Sequence, residues 1–135
     1  YELRVLPTHG GHSGSNQDEN DWALVVAVTL GAQRVLLPGD VEGTALDEVV
    51  EGPFAVVEVP HHGSSGGLTD SMLADCASRL AVISVGANSY GHPTGEALAQ
   101  LRAFGVPCLR TDRDGEVALS VSGDGDVLCA TQRPR

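Results

Sequence analysis

Four side chains of this sequence carry the donor chemistry of a metal site: Asp40, His61, His62 and His92. Each follows an apolar run. Asp40 comes directly after Val35-Leu36-Leu37-Pro38-Gly39, the adjacent imidazoles of His61 and His62 after Val56-Val57-Glu58-Val59-Pro60, and His92 a short way past Leu80-Ala81-Val82-Ile83-Ser84-Val85. Strand ends on one edge of an open sheet converge, so residues far apart in sequence can meet there. One carboxylate with two or three imidazoles suits zinc, manganese or another first-row divalent ion. Each residue also has a plainer role open to it. An Asp after Gly commonly closes a turn or caps a helix, a His before Pro can shape a helix entry, and a His pair at a strand end can be structural.

The elements that must position these groups are organised around residues 54–65, FAVVEVPHHGSS. An uninterrupted apolar run of strand length reads as a strand buried on both faces of a sheet. Pro60 cannot continue the ladder, and Gly63 permits a backbone turn that a larger residue resists. Around this centre the sequence predicts strands over residues 2–6, 22–30 and 34–37, the last two joined by a hairpin at Gly31-Ala32-Gln33. Apolar positions 41, 45, 46, 49 and 50 predict a short helix over 41–50. Thr69 caps a helix to about Ala77, residues 80–85 form a further strand, and Thr94 caps a helix through Ala103. Strands over 106–110, 116–121 and 127–131 follow. Asp112-Arg113-Asp114-Gly115 is expected to be a tight turn joining two antiparallel strands, with Gly115 at positive φ and no metal bound. The polar stretch 8–20 is expected to be a mobile loop, with His9 and His12 as loop residues rather than ligands. Strands alternating with helices, flanked by hairpins, make this an α/β chain with a mixed sheet.

Composition sets the outer bounds. A chain of 135 residues with 41% hydrophobic residues builds one core. Mean hydropathy of −0.01, with no long apolar run, argues against a membrane span or membrane contact by this segment. The chain opens on Tyr1 rather than Met and is expected to be an excised or mature piece. A formal charge of −10 repels nucleic-acid phosphates, so a phosphate substrate needs a cation to screen it. Cys76, Cys108 and Cys129 are widely spaced, without a CxxC pair, and read as buried or semi-buried free thiols. Ser64 and Ser65 lie beside the histidines, yet no GxSxG elbow surrounds them. Asp124-Gly125-Asp126 lacks the remaining spacing of a calcium loop, and no Walker A or dinucleotide fingerprint occurs.

Asn20 before an apolar strand, then VLLPGD (35–40), VPHHGSS (60–65), AVISVGANSYGHP (81–93) and RTDRDGEV (110–117), fall in a set order. Together they resemble the metallo-β-lactamase-like domain of the DNA internalisation-related competence protein ComEC family, from about residue 3 to 121. The resemblance implies the C-terminal half of an αββα metallo-β-lactamase-like fold, forming a single partial domain over 1–135. It makes Asp40 the carboxylate that bridges two metal ions and the His61-His62 pair the source of a later ligand, with the choice between the two left open. His92 becomes a proton donor or phosphate contact. Asn88 and Tyr90 line the site, and Ser64 joins Asn88 and His92 among the catalytic candidates. Asn20 stands where many relatives place a metal-binding histidine, and Ala23 where serine is more usual.

The HxHxDH motif that holds most of the superfamily's ligands is absent, since THGGHSGS has the wrong spacing. The zinc or manganese site is therefore expected to be incomplete in this chain, and the chain alone to be a poor hydrolase. The implied activity is metal-dependent hydrolysis of the DNA strand that is not imported, by a soluble, extracytoplasmic domain of a bacterial membrane-bound uptake protein. Its implied partners are single-stranded DNA, and either a missing N-terminal half or a second copy of the chain. The alternatives are another phosphoester or lactone hydrolase of this fold, or a non-catalytic binding or assembly module.

Overall fold

The structure, a computed structural model, describes residues 1–7, 19–122 and 124–133. His9, His12 and most of the loop expected over 8–20 lie outside the described residues. At its end the chain enters a 3-10 turn, Glu19–Trp22, closed by the Ala23 amide donating to the Asn20 carbonyl at 2.9 Å.

A six-stranded sheet in the order β1-β2-β3-β4-β5-β6 forms the body. Its strands are β1 (Glu2–Leu6), β2 (Val25–Leu30), β3 (Gln33–Leu37), β4 (Val56–Glu58), β5 (Leu80–Ile83) and β6 (Cys108–Arg110). The first three run antiparallel, and β3 to β6 pair in parallel, so the sheet is mixed as the element pattern predicts. The two-residue turn between β2 and β3 uses Gly31 at φ +60, a conformation open to a residue without Cβ. The helices α1 (Gly43–Asp47), α2 (Asp70–Cys76) and α3 (Gly95–Ala103) fill the crossovers between the parallel strands. Thr69 and Thr94 cap α2 and α3 as the sequence predicts, accepting from the Met72 and Ala97 amides at 2.9 and 3.2 Å.

Side chains alternate across a strand, so the register assigns each residue to a face. Leu36, Val57 and Ala81 lie side by side on one face. They join Phe54, Leu46, Met72, Ile83 and Leu101 in one buried cluster. Burying each such side chain contributes about 1.5–3 kcal/mol, which makes this face the main source of stability. The other face carries Leu3, Val5, Val26, Val28, Val35 and Val56. The hairpin of β7 (Val117–Val121) and β8 (Val127–Thr131) reaches only part of it. There Val117 and Leu119 meet Val35, Val56 and Val82 around a cavity of about 230 Å³. Toward β1 the face is open, with Leu3 61% and Val5 54% exposed.

Three expectations are corrected. The strand expected over 22–30 begins only at Val25, because Trp22 closes the 3-10 turn before it. The helix expected over 41–50 shrinks to α1, although Val41, Leu46 and Val50 are buried as its apolar face predicts. The third concerns Asp112 to Gly115, expected as a tight turn between paired strands. Thr111–Asp114 is instead a one-turn helix, α4, and the strands on either side belong to different sheets. Gly115 does sit at positive φ, +73. The physical reason lies in Asp114, buried at 1% exposure, whose Oδ2 accepts the Arg110 amide at 2.8 Å and draws the backbone into a turn of helix.

Candidate functional site

The strand β4 ends at Glu58, and the chain passes into a 3-10 turn, Pro60–Gly63. Within it His61 (φ 45, ψ 49), His62 (φ 55, ψ 20) and Gly63 (φ 85) all adopt left-handed backbone in succession. Two non-glycine residues in this region cost on the order of 1–3 kcal/mol each and persist only when their surroundings fix them. The fixing contacts are visible. The His61 amide donates to the Gly39 carbonyl at 3.0 Å, and the Gly63 carbonyl accepts both the Thr94 amide at 2.9 Å and its hydroxyl at 3.2 Å. This backbone sends the two imidazoles to different partners.

His62 Nδ1 lies 2.7 Å from the Ser84 carbonyl at the end of β5. A carbonyl only accepts, so Nδ1 carries the proton and, in neutral imidazole, Nε2 keeps a lone pair. That Nε2 faces Asp40 Oδ1 at 3.9 Å. Two acceptors facing one another need a proton or a cation between them, and a His whose other nitrogen donates to a backbone carbonyl is held as metal-ligating histidines are held.

His61 turns the other way. Its Nδ1 donates to Glu42 Oε1 at 3.0 Å, and the Ser64 hydroxyl donates to the same oxygen. Ser64 is buried by this contact, with 8% exposure, so its hydroxyl braces Glu42 rather than facing solvent. Glu42 is the residue the sequence reading missed. It stands two positions after Asp40, at the N-cap position of α1, where a solvated acidic residue is the ordinary expectation.

His92 completes the edge, its ring centroid 5.6 Å from that of His61. Its Nδ1 is buried and has no hydrogen-bond partner among the described residues. Asn88 holds the loop carrying His92: its Oδ1 accepts the Tyr90, Gly91 and His92 amides at 3.0–3.1 Å, and its Nδ2 donates to the Gly86 and His92 carbonyls. The amide of Asn88 is thus committed to positioning. Glu58, also unremarked in the sequence, is half-buried beside His62 and Asp40. Burial raises its pKa, the His62 charge lowers it and the Asp40 charge raises it again.

Donor types at this edge suit a first-row divalent ion, but donor number does not complete one. Among the described residues, no group of three or more His, Cys, Asp or Glu is arranged to hold a metal. Asp40 and His62 form a pair, with His61 committed to Glu42. Next to the pair, His62, Ser84, Asn88, Tyr90, His92 and Thr111 help to line an open cavity of about 330 Å³.

No family model matches the chain. It is 32% identical over 117 residues to the competence protein ComA of Neisseria gonorrhoeae, covering 82% of this chain and 17% of that protein. It is 31% identical over 104 residues to ComE operon protein 3 of Bacillus subtilis, covering 73% of this chain and 13% of that protein. A further match, 36% over 107 residues, is to imidazole glycerol phosphate synthase subunit HisF of Beutenbergia cavernae, covering 74% of this chain and 41% of that protein. The first two names agree with each other, and the third does not join them. The chain thus spans a small part of the competence proteins it matches. Most of its length, including the strand ends that bring Asp40, His62 and His92 to one edge, is related in sequence to a segment of the ComEC-like competence proteins.

Proposed function

We propose that this chain is the second half of a metal-dependent hydrolase domain that serves DNA uptake, cutting phosphodiester bonds of the strand that is not imported. The observation that carries the reading is the Asp40–His62 pair, two acceptors 3.9 Å apart with the histidine locked through Ser84. In this reading His62 is the ligand of the histidine pair and Asp40 its carboxylate partner, with zinc or manganese as the ion. The remaining ligands come from an HxHxDH-bearing half that packs on the open sheet face around Leu3 and Val5. When bound, the ion supplies an activated water and positive charge against the phosphate.

The chain's own groups do the rest. His61, its tautomer fixed by Glu42, and His92, beside it, hold and move protons at their ring nitrogens. Asn88 keeps the His92 loop in place, and Ser64 keeps Glu42 in place. Among the described residues no helix is long and apolar enough to cross a membrane. In this reading the domain works outside the lipid, on the extracytoplasmic side. Among the described residues the donor count favours one other reading, a binding or assembly module on the same scaffold, because two metal donors alone do not make a catalyst.

Cleavage distinguishes the two. Incubated alone with single-stranded DNA and excess Mn²⁺, the chain is expected to leave the DNA intact. Joined to a segment that supplies the HxHxDH ligands, it is expected to cut, with Asp40→Ala lowering the rate about a hundredfold or more, beyond the usual cost of losing a supporting partner. Cutting that ignores Asp40→Ala, or no cutting by the joined protein, would favour the module.

A further inference from the structure

Tyr90 is exposed at 83% although the loop that carries it is tightly specified, since Asn88 accepts its amide and the next two. Its ring stacks on His92 with planes 18° apart and centroids 6.1 Å apart. The phenol thus lies near-parallel to an imidazole of the candidate site but strongly offset from it, and its faces are largely open to solvent. Tyr90 also lines the cavity of about 330 Å³ that His62 and His92 share.

A chain of formal charge −10 gains no attraction from phosphate backbone by itself. Binding must draw on cations and on contacts to the bases. Every base has a π-face, so an aromatic ring held flat and open stacks on single-stranded nucleic acid with little sequence preference. The sequence holds only 2 Tyr, 1 Trp and 2 Phe, and Tyr90 is the aromatic residue that this cavity contains.

We infer that Tyr90 is a base-stacking platform that seats one nucleobase of a single strand on its open ring, beside His92, and so brings the adjoining phosphate to His62 and His92. The inference rests on the DNA-directed reading of the site. Phenol in place of benzene adds nothing to stacking here, so a phenylalanine at this position serves equally.

NMR titration with short thymidine oligonucleotides in Mg²⁺ reads this directly, run beside an abasic oligonucleotide of the same length. Stacking is expected to move the Tyr90 ring protons upfield, through the ring current of the base. Tyr90→Ala is expected to weaken oligothymidine binding about fivefold or more, the loss that follows release of one stacked base, while Tyr90→Phe retains it. The abasic strand is expected to bind weakly and equally to the unaltered chain and to Tyr90→Ala. Oligothymidine binding that Tyr90→Ala leaves unchanged, or abasic binding that falls in parallel, overturns the platform and leaves the DNA reading standing. An unaltered chain that binds neither oligonucleotide overturns both.

Discussion

Gly63→Ala is expected to destabilise the fold by about 3 kcal/mol or more, measured as the shift of a urea unfolding transition. Two effects add. Gly63 sits at φ +85, a backbone region that L side chains rarely enter, which alone costs on the order of 1 kcal/mol or more. A Cβ built there would also lie 2.6 Å from Pro93 Cβ and 3.1 Å from Pro93 Cα. Pro93 belongs to a closed ring whose neighbour Thr94 binds the Gly63 carbonyl, so it has no easy retreat. Gly91→Ala is the control. Its φ is +84, nearly the same, yet nothing lies within 4 Å of the added Cβ. It is expected to lose only the backbone contribution. Equal losses at the two positions would show that the contact with Pro93 does not hold the His61-His62 turn in place.

The second large effect is expected from Asp114→Ala, at about 2–3 kcal/mol in the same assay. Asp114 is buried at 1% exposure, and its Oδ2 accepts the Arg110 amide where β6 passes into α4. Alanine removes that acceptor and leaves a part-buried amide without it, which costs more than the bond itself contributes. Asp114→Asn keeps a side-chain oxygen of the same reach and is expected to recover at least half of the loss. A neutral Asp114→Ala would show that α4 forms without the bond.

These two positions mark how far the sequence was legible. The hairpin at Gly31, the threonine caps at Thr69 and Thr94, and the apolar runs of β4 and β5 are local signals, and the structure places those elements where they point. Asp112 to Gly115 carries equally good turn residues, but its form depends on one buried carboxylate and on β6 and β7 lying in separate sheets. Both are tertiary facts. The convergence of Asp40, His62 and His92 followed from strand ends meeting on one edge. The division of labour between His61 and His62 did not follow, since it depends on two consecutive left-handed residues that no propensity favours. Glu42 was hidden for a related reason: an acidic residue at a helix entry reads as solvated until the His61 and Ser64 donors are seen on it. The open face at Leu3 and Val5 has the alternating sequence pattern of a half-buried strand, yet both residues are exposed.

In this reading His62, not His61, shares a divalent ion with Asp40, and a manganese titration distinguishes the two histidines. Mn²⁺ broadens nearby nuclear spins, so ¹H–¹⁵N spectra of the 135-residue chain locate the ion residue by residue. Weak binding of one ion is expected, since two ligands leave most of the shell to water. Broadening should centre on Asp40, His62 and Ser84, and both Asp40→Ala and His62→Ala should abolish it. His61→Ala should leave it in place. Broadening centred on Glu42 and His61, or signals at Asp40 and His62 untouched by an excess of Mn²⁺, would overturn the pairing of His62 with Asp40.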